Sequence, residues 1–174
     1  MAFESMHILL KTQLHGCQIK GTSVRESGLT VSTGILAGEI ILFFQTDSNQ
    51  GRRCLNMKGE NVRCSDYLVF YANDKSVKEK VCFLELKGQR FQHAVDQVTN
   101  AYNHLTALSK DGLGKGQRQN VVWSVSICMH GQAPVDEQKG REQLIKIFGK
   151  ENIRIKHGVK QDKLLGDFLR KLGQ

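Results

Sequence analysis

Across residues 80–108 the spacing of apolar side chains changes from every second position to every third or fourth. Each half admits one kind of local structure. Residues 80–87 (KVCFLELK) are rich in β-branched and aromatic groups and read as a strand. Within residues 89–108, Phe91, Val95, Val98, Tyr102, Leu105 and Leu108 fall on one helical face, with His93, Gln97, Asn100 and His104 as a polar stripe opposite. Upstream, residues 66–71 (DYLVFY) form another strand, and the polar stretch 72–78, containing Asn73-Asp74, is a turn. A hairpin followed by an amphipathic helix is therefore expected.

The remainder extends this pattern. Residues 109–120 read as a glycine-punctuated loop bearing Lys110, Lys115 and Arg118, and 121–129 (VVWSVSICM) as a buried strand with Trp123 in the core. Residues 140–148 suit a helix, 152–157 a strand and 160–172 a closing helix. The first fifty residues are less patterned: 6–14 and 29–44 are apolar-rich, and 47–53 form a polar turn region. The order β-β-α-β-α-β-α implies an α/β sandwich, a central mixed β-sheet flanked by helices, in one domain spanning 1–174.

Composition narrows the function classes. With 40% hydrophobic and 24% charged residues, disordered and low-complexity readings are excluded. A net charge of +8 points to a polyanionic partner, nucleic acid first, with a solvated basic face as the plain alternative. The excess is concentrated late: from Lys139 onward there are ten Lys or Arg against four Asp or Glu. Five cysteines without a C-x-x-C pair support neither a disulfide framework nor a zinc ribbon. The start of the chain lacks signal-peptide features. The longest apolar stretch, residues 34–44, is about eleven residues and contains Glu39, too short and charged to span a bilayer. A soluble, cytoplasmic protein without membrane association is expected.

The chemistry concentrates on the hairpin. Strand alternation puts Glu85 and Lys87 on one face and Leu86 on the other. A turn centred near residue 75.5 pairs residues whose numbers sum to about 151, which sets Asp66 opposite Glu85, about 5.5 Å apart between backbones. Leu68, Phe70, Val81 and Phe83 share that face in this register. Facing carboxylates among apolar neighbours need a positive charge. A hard divalent cation, Mg²⁺ with Mn²⁺ as substitute, supplies one, and a neighbouring lysine can orient or deprotonate a nucleophile. The alternative is an edge-strand salt bridge between Glu85 and Lys87. A second E-x-K triple, Glu137-Gln138-Lys139, lies in a polar stretch and reads as solvated surface.

Residues 64–70, then 83–88, then a helix beginning near Phe91 resemble the PD-(D/E)xK nuclease superfamily, which has the restriction-endonuclease-like fold. The resemblance covers a catalytic core of about residues 54–129. It implies that Asp66 and Glu85 are metal ligands, that Lys87 is the catalytic lysine, and that Gln97 matches the helical glutamine of the RecB-like branch. Ser65 stands where the family has Pro, and Tyr102 lies five residues beyond Gln97 instead of four. The further acid of the family's first helix could be Glu26 or Glu39.

The resulting expectation is a Mg²⁺-dependent nuclease hydrolysing phosphodiester bonds of DNA, with Lys110, Lys115 and Arg118 among the residues that contact nucleic acid. RNA is the alternative substrate, and an inactive nucleic-acid-binding or assembly module of the same fold is the alternative function. A chain of this size leaves room for a homo-oligomer or partner subunit. The glycine-rich stretch 112–116 lacks P-loop spacing, and no H-E-x-x-H, Ser/His/Asp arrangement or dinucleotide fingerprint occurs.

Overall fold

The computed structural model describes residues 5–57, 63–87, 90–135 and 137–173. In chain order the elements are α1 (Met6–Gln13), β1 (Gln18–Ile19), β2 (Ser23–Glu26), β3 (Leu29–Ser32), β4 (Glu39–Gln45), α2 (Asn49–Cys54), β5 (Tyr67–Asn73) and β6 (Glu79–Lys87). There follow α3 (Phe91–Gly112), α4 (Lys115–Gln119), β7 (Val121–Met129), α5 (Glu137–Phe148), β8 (Ile153–Lys156), β9 (Gln161–Asp162) and α6 (Leu165–Lys171).

Six strands form the central sheet in the order β1-β4-β5-β6-β7-β8. The pairings from β1 through β6 are antiparallel, whereas β6–β7 and β7–β8 are parallel. The parallel pairs need crossovers, which α3 with α4 and then α5 provide. A mixed sheet flanked by helices is thus present. Three further strands, β2-β3-β9, make a separate small sheet.

Period-two alternation in β5 and β6 divides the core in two. Leu68, Phe70, Val81 and Phe83 point to one face, where they meet Leu9 and Leu10 of α1, Phe91, Val95 and Val98 of α3, and Leu144 of α5. Tyr67, Val69, Tyr71, Cys82 and Leu84 point to the other, which Val24, Leu29, Val31, Leu165 and Leu169 cover. With both faces covered, the central strands are near-continuous apolar runs, as a sheet buried on both sides requires. The α3 stripe lies on the first face as its spacing requires.

Several expectations change. The stretch 109–120 is not a plain loop: α3 runs on to Gly112 and α4 follows. Residues 47–53 contain α2, capped by the Ser48 hydroxyl, which accepts from Gly51 N–H at 3.0 Å. The closing helix is only α6, because residues 161–162 pair with β3 instead. Arg154 and Asp162, both buried, form an ion pair there, with Arg154 Nη1 also donating to Ser126 Oγ at 2.9 Å. The core extends upstream of residue 54, since β4 pairs with β5 over its full length.

Helices α3 and α5 approach closely at Gly140, which is buried. A Cβ there would lie 2.8 Å from the Phe91 ring and 3.0 Å from Val95. Gly140→Ala should therefore destabilise the fold by about 1–3 kcal/mol, despite the roughly 1 kcal/mol helical advantage of Ala. Urea unfolding measures this, and a variant as stable as wild type would show that α5 does not press on α3.

Candidate active site

The hairpin of β5 and β6 pairs Tyr67 with Leu84 and Leu68 with Phe83. The numbers sum to 151 in each case, so Asp66, just before β5, stands across from Glu85. The two carboxylates are tied to opposite backbones in a reciprocal manner. Asp66 N–H donates to Glu85 Oε2 at 3.0 Å, and Leu86 N–H donates to Asp66 Oδ2 at 2.8 Å. The second oxygens, Asp66 Oδ1 and Glu85 Oε1, face the Lys87 ammonium at 3.8 and 2.8 Å. Glu85 is fully buried and Asp66 nearly so, while the Lys87 side chain is 21% exposed. The site thus lies where the first core face opens to solvent.

The electrostatics follow from this placement. Burial, opposed by the Leu86 N–H and by Lys87, pushes the Asp66 carboxyl up to about 6. Burial and then repulsion from Asp66 push Glu85 up to about 8, with Lys87 pulling the other way. For Lys87, burial works against the ammonium, but Glu85 and Asp66 outweigh it and its pKa is raised. Glu85 Oε1 is a buried acceptor on which no hydrogen-bond donor is aligned among the described residues, although the ammonium stands beside it.

No three His, Cys, Asp or Glu groups are arranged to hold a metal ion among the described residues. The donor set is two carboxylates on neighbouring strands. Mg²⁺ suits such a set, because it is ordinarily held by one or two carboxylates and completes its shell with water and substrate phosphate.

Gln97 belongs to the site's support. Its Nε2 donates to Cys64 O at 2.6 Å, and the side chain is buried within the polar stripe of α3. This bond moors α3 to the segment that delivers Asp66. Thr46 does the same from the other side, its hydroxyl donating to Ser65 O at 2.6 Å and its N–H to Asp66 O at 3.0 Å.

Two neighbours were missed at the sequence level. Asp47 N–H also points to Asp66 O, at 3.4 Å, and its charge adds to the rise of both Asp66 and Lys87. Arg52 of α2 holds Asp47, with Nε donating to Oδ1 at 2.9 Å. The available signal was the apolar run 40–44 followed three residues on by an acid, which places Asp47 just beyond the exit of a strand. Of the two acids the family pattern left open, Glu26 lies close enough to raise Asp66. Glu39 does not belong: it pairs with Asn73 at the far end of β5, about 20 Å along the strands from Asp66. There Arg170, with help from Leu36 N–H and Tyr71, pulls it down to about 2 despite partial burial.

Lys110, Lys115 and Arg118 are also at that far end. They flank the start of β7, where Val121 pairs with Glu79, whereas Lys87 pairs with Met129. The cation beside the acids is Lys87; Arg63 and Arg90 lie around His93, with Arg63 Nη1 donating to Asp96 Oδ2 at 2.7 Å. The proton affinity of His93 is lowered by burial, then by Arg63 and Lys87, against Asp96. The second E-x-K triple is separate: Glu137 opens α5 and faces His157 Nε2 at 2.8 Å, and Lys139 is exposed. No helix among the described residues is long and apolar enough to cross a membrane. No protein-family model, curated protein or solved structure matches the chain.

A carboxyl whose folded pKa exceeds its unfolded one holds its proton better when folded. The pair therefore favours folding at low pH, and that contribution is lost as pH rises through about 6 and then about 8. His7 and His93, held below their ordinary range chiefly by burial, tilt the curve the other way, so the comparison must be with a variant. In metal-free buffer Glu85→Gln should exceed wild type in stability by more than about 1 kcal/mol at pH 8, with the gap closing toward pH 5. Chemical denaturation across that range measures it, and a gap independent of pH would refute the assignment.

Proposed function

We propose that this chain is a metal-dependent nuclease built on a PD-(D/E)xK core of the restriction-endonuclease-like type, hydrolysing phosphodiester bonds with DNA as its expected substrate. The observation that carries the reading is the reciprocal pairing of Asp66 and Glu85, which leaves one oxygen of each carboxylate facing Lys87. The β4–β5–β6 antiparallel unit, the parallel step to β7, and α3 behind the acids agree with that core.

Asp66 and Glu85 would hold the divalent cation, Mg²⁺ or Mn²⁺, through Oδ1 and Oε1. Such a cation supplies a water of lowered pKa and offsets charge building on the phosphate. The chain's own residues then divide the remaining tasks. The Leu86 and Asp66 N–H groups fix the orientation of both carboxylates, so no reorganisation is needed when charge develops. Lys87 is the resident counterion while the acids are otherwise uncompensated. With their charge offset, burial, the largest influence on its Nζ, would favour the neutral amine against the remaining pull of Asp47. The amine can then take a proton from the attacking water, or the ammonium can steady a phosphate oxygen. Gln97 and Thr46 hold the Asp66 segment in register from either side. Arg63 and Arg90, grouped with Lys87 around His93, suit a phosphate backbone.

Labelled single- and double-stranded DNA and RNA, incubated with Mg²⁺, Mn²⁺ or EDTA, test this. Cleavage should require the metal, and Asp66→Asn, Glu85→Gln and Lys87→Met should each lower the rate by at least about a thousandfold while circular dichroism stays native. Retained cleavage in all three would end the proposal. Binding without cleavage under every condition would identify an inactive module of the same fold, and cleavage of RNA alone would reassign the substrate.

A further inference from the structure

The end of the central sheet remote from Asp66 carries a feature that cleavage does not use. Two cavities open there, of about 440 and 360 Å³, and Trp123 and Val121 line both. Trp123 packs against the first core cluster, as expected, but is only partly buried. Phe83 stacks against the indole at 6.2 Å with the planes 16° apart, and Tyr102 meets it edge-on at 5.6 Å. The indole thus packs against both rings and also borders both cavities. Tyr102 lines the smaller one as well.

Cations surround this aromatic pair. Lys110 and Arg118 line the smaller cavity, and Lys78 and Lys171 the larger, whose wall also includes the acid Glu151. Arg118 is braced, its Nη1 donating to Lys110 O at 3.2 Å, and Lys78 Nζ donates to Gly173 O at 2.8 Å. Lys115 opens the helix that carries Arg118.

An aromatic platform flanked by cations matches the chemistry of an unpaired nucleotide run, with a base against the ring and phosphates at the cations. A duplex keeps its bases stacked inside and offers only phosphates, and a small anion has no use for an indole. We propose that Trp123 and Tyr102, with Lys110, Arg118, Lys78 and Lys171, form a second binding platform for single-stranded nucleic acid. It lies roughly 13 Å along the sheet from the acids, since Trp123 pairs with Val81, four residues before Glu85 in β6. The platform binds whether or not Asp66, Glu85 and Lys87 cleave anything.

Trp123 is the only tryptophan in the chain, so its fluorescence reads this site alone. In EDTA, an oligothymidylate of about twelve nucleotides should quench it saturably, and an oligouridylate in parallel separates DNA from RNA as the preferred strand. An abasic strand of equal length should bind more weakly and leave the emission nearly unchanged. The double variant Lys110→Glu/Arg118→Glu, altered only at side chains on the rim, should weaken oligothymidylate binding at least about tenfold. Asp66→Asn should leave the quench as in wild type, which keeps this result separate from any loss of cleavage. Failure of both oligonucleotides to quench, equal quenching by the abasic strand, or an unaltered affinity in the double variant would each overturn the platform.

Discussion

The site rests on one cross-strand register. A slip of a single residue between β5 and β6 would send Asp66 and Glu85 to opposite faces of the sheet. What prevents the slip is the burial of both faces: Leu68, Phe70, Val81 and Phe83 fit one cluster, and Tyr67, Val69, Tyr71, Cys82 and Leu84 fit the other. Apolar packing thus imposes an electrostatic arrangement that is unfavourable in isolation. Facing carboxylates destabilise a sheet, and a fully buried one adds a desolvation cost. The reciprocal N–H bonds and the Lys87 ammonium offset part of that cost, and the raised proton affinities of both acids show that they do not offset all of it.

How much of this could be read without coordinates depended on the range of each signal. The hairpin register was legible because its two strands are adjacent, and alternation with one turn centre determines every pair. The α3 face was legible for a similar reason, since six apolar positions repeat at helical spacing. Gln97 was legible as a member of a polar stripe and as the helical glutamine of the resemblance, but not its partner: helical periodicity shows which side of α3 a residue occupies, not that the Cys64 carbonyl waits there. Asp47 was missed because β4 reaches β5 across α2 and the intervening segment, a pairing no local pattern encodes. The split of the last fifteen residues into β9 and α6 likewise depends on a distant partner, β3.

Counting charge by position along the chain also misled. Two of the ten late cations serve the fold, as does Lys80 upstream. Arg154 is buried against Asp162, and Arg170 grips Glu39 with Nε at 2.8 Å while reaching Asp167 at 3.0 Å. Lys80, buried on the second face, donates to the carbonyls of Leu169 and Arg170 at the end of α6. These contacts hold α6 over the sheet. On the proposed reading, the cations that would meet a polyanion are those around Lys87 at one end of the strands and around Trp123 at the other.

A buried acid pair is a poor device for stability, because apolar residues of similar volume usually hold a sheet at least as well. The placement of this pair is therefore informative. Two residues deeper, the same face is filled by Leu68 and Phe83. Two residues further out, solvent would screen the charges and relax their proton affinities. Asp66 and Glu85 occupy the step between, where burial raises their demand for a cation and Lys87, partly exposed, still leaves a route for one to enter. An arrangement that merely paired charges would need only one acid for the one ammonium. The second acid is in excess over the one ammonium beside the Lys87 opening, and on the proposed reading a divalent cation arriving with an anionic phosphate would answer that excess.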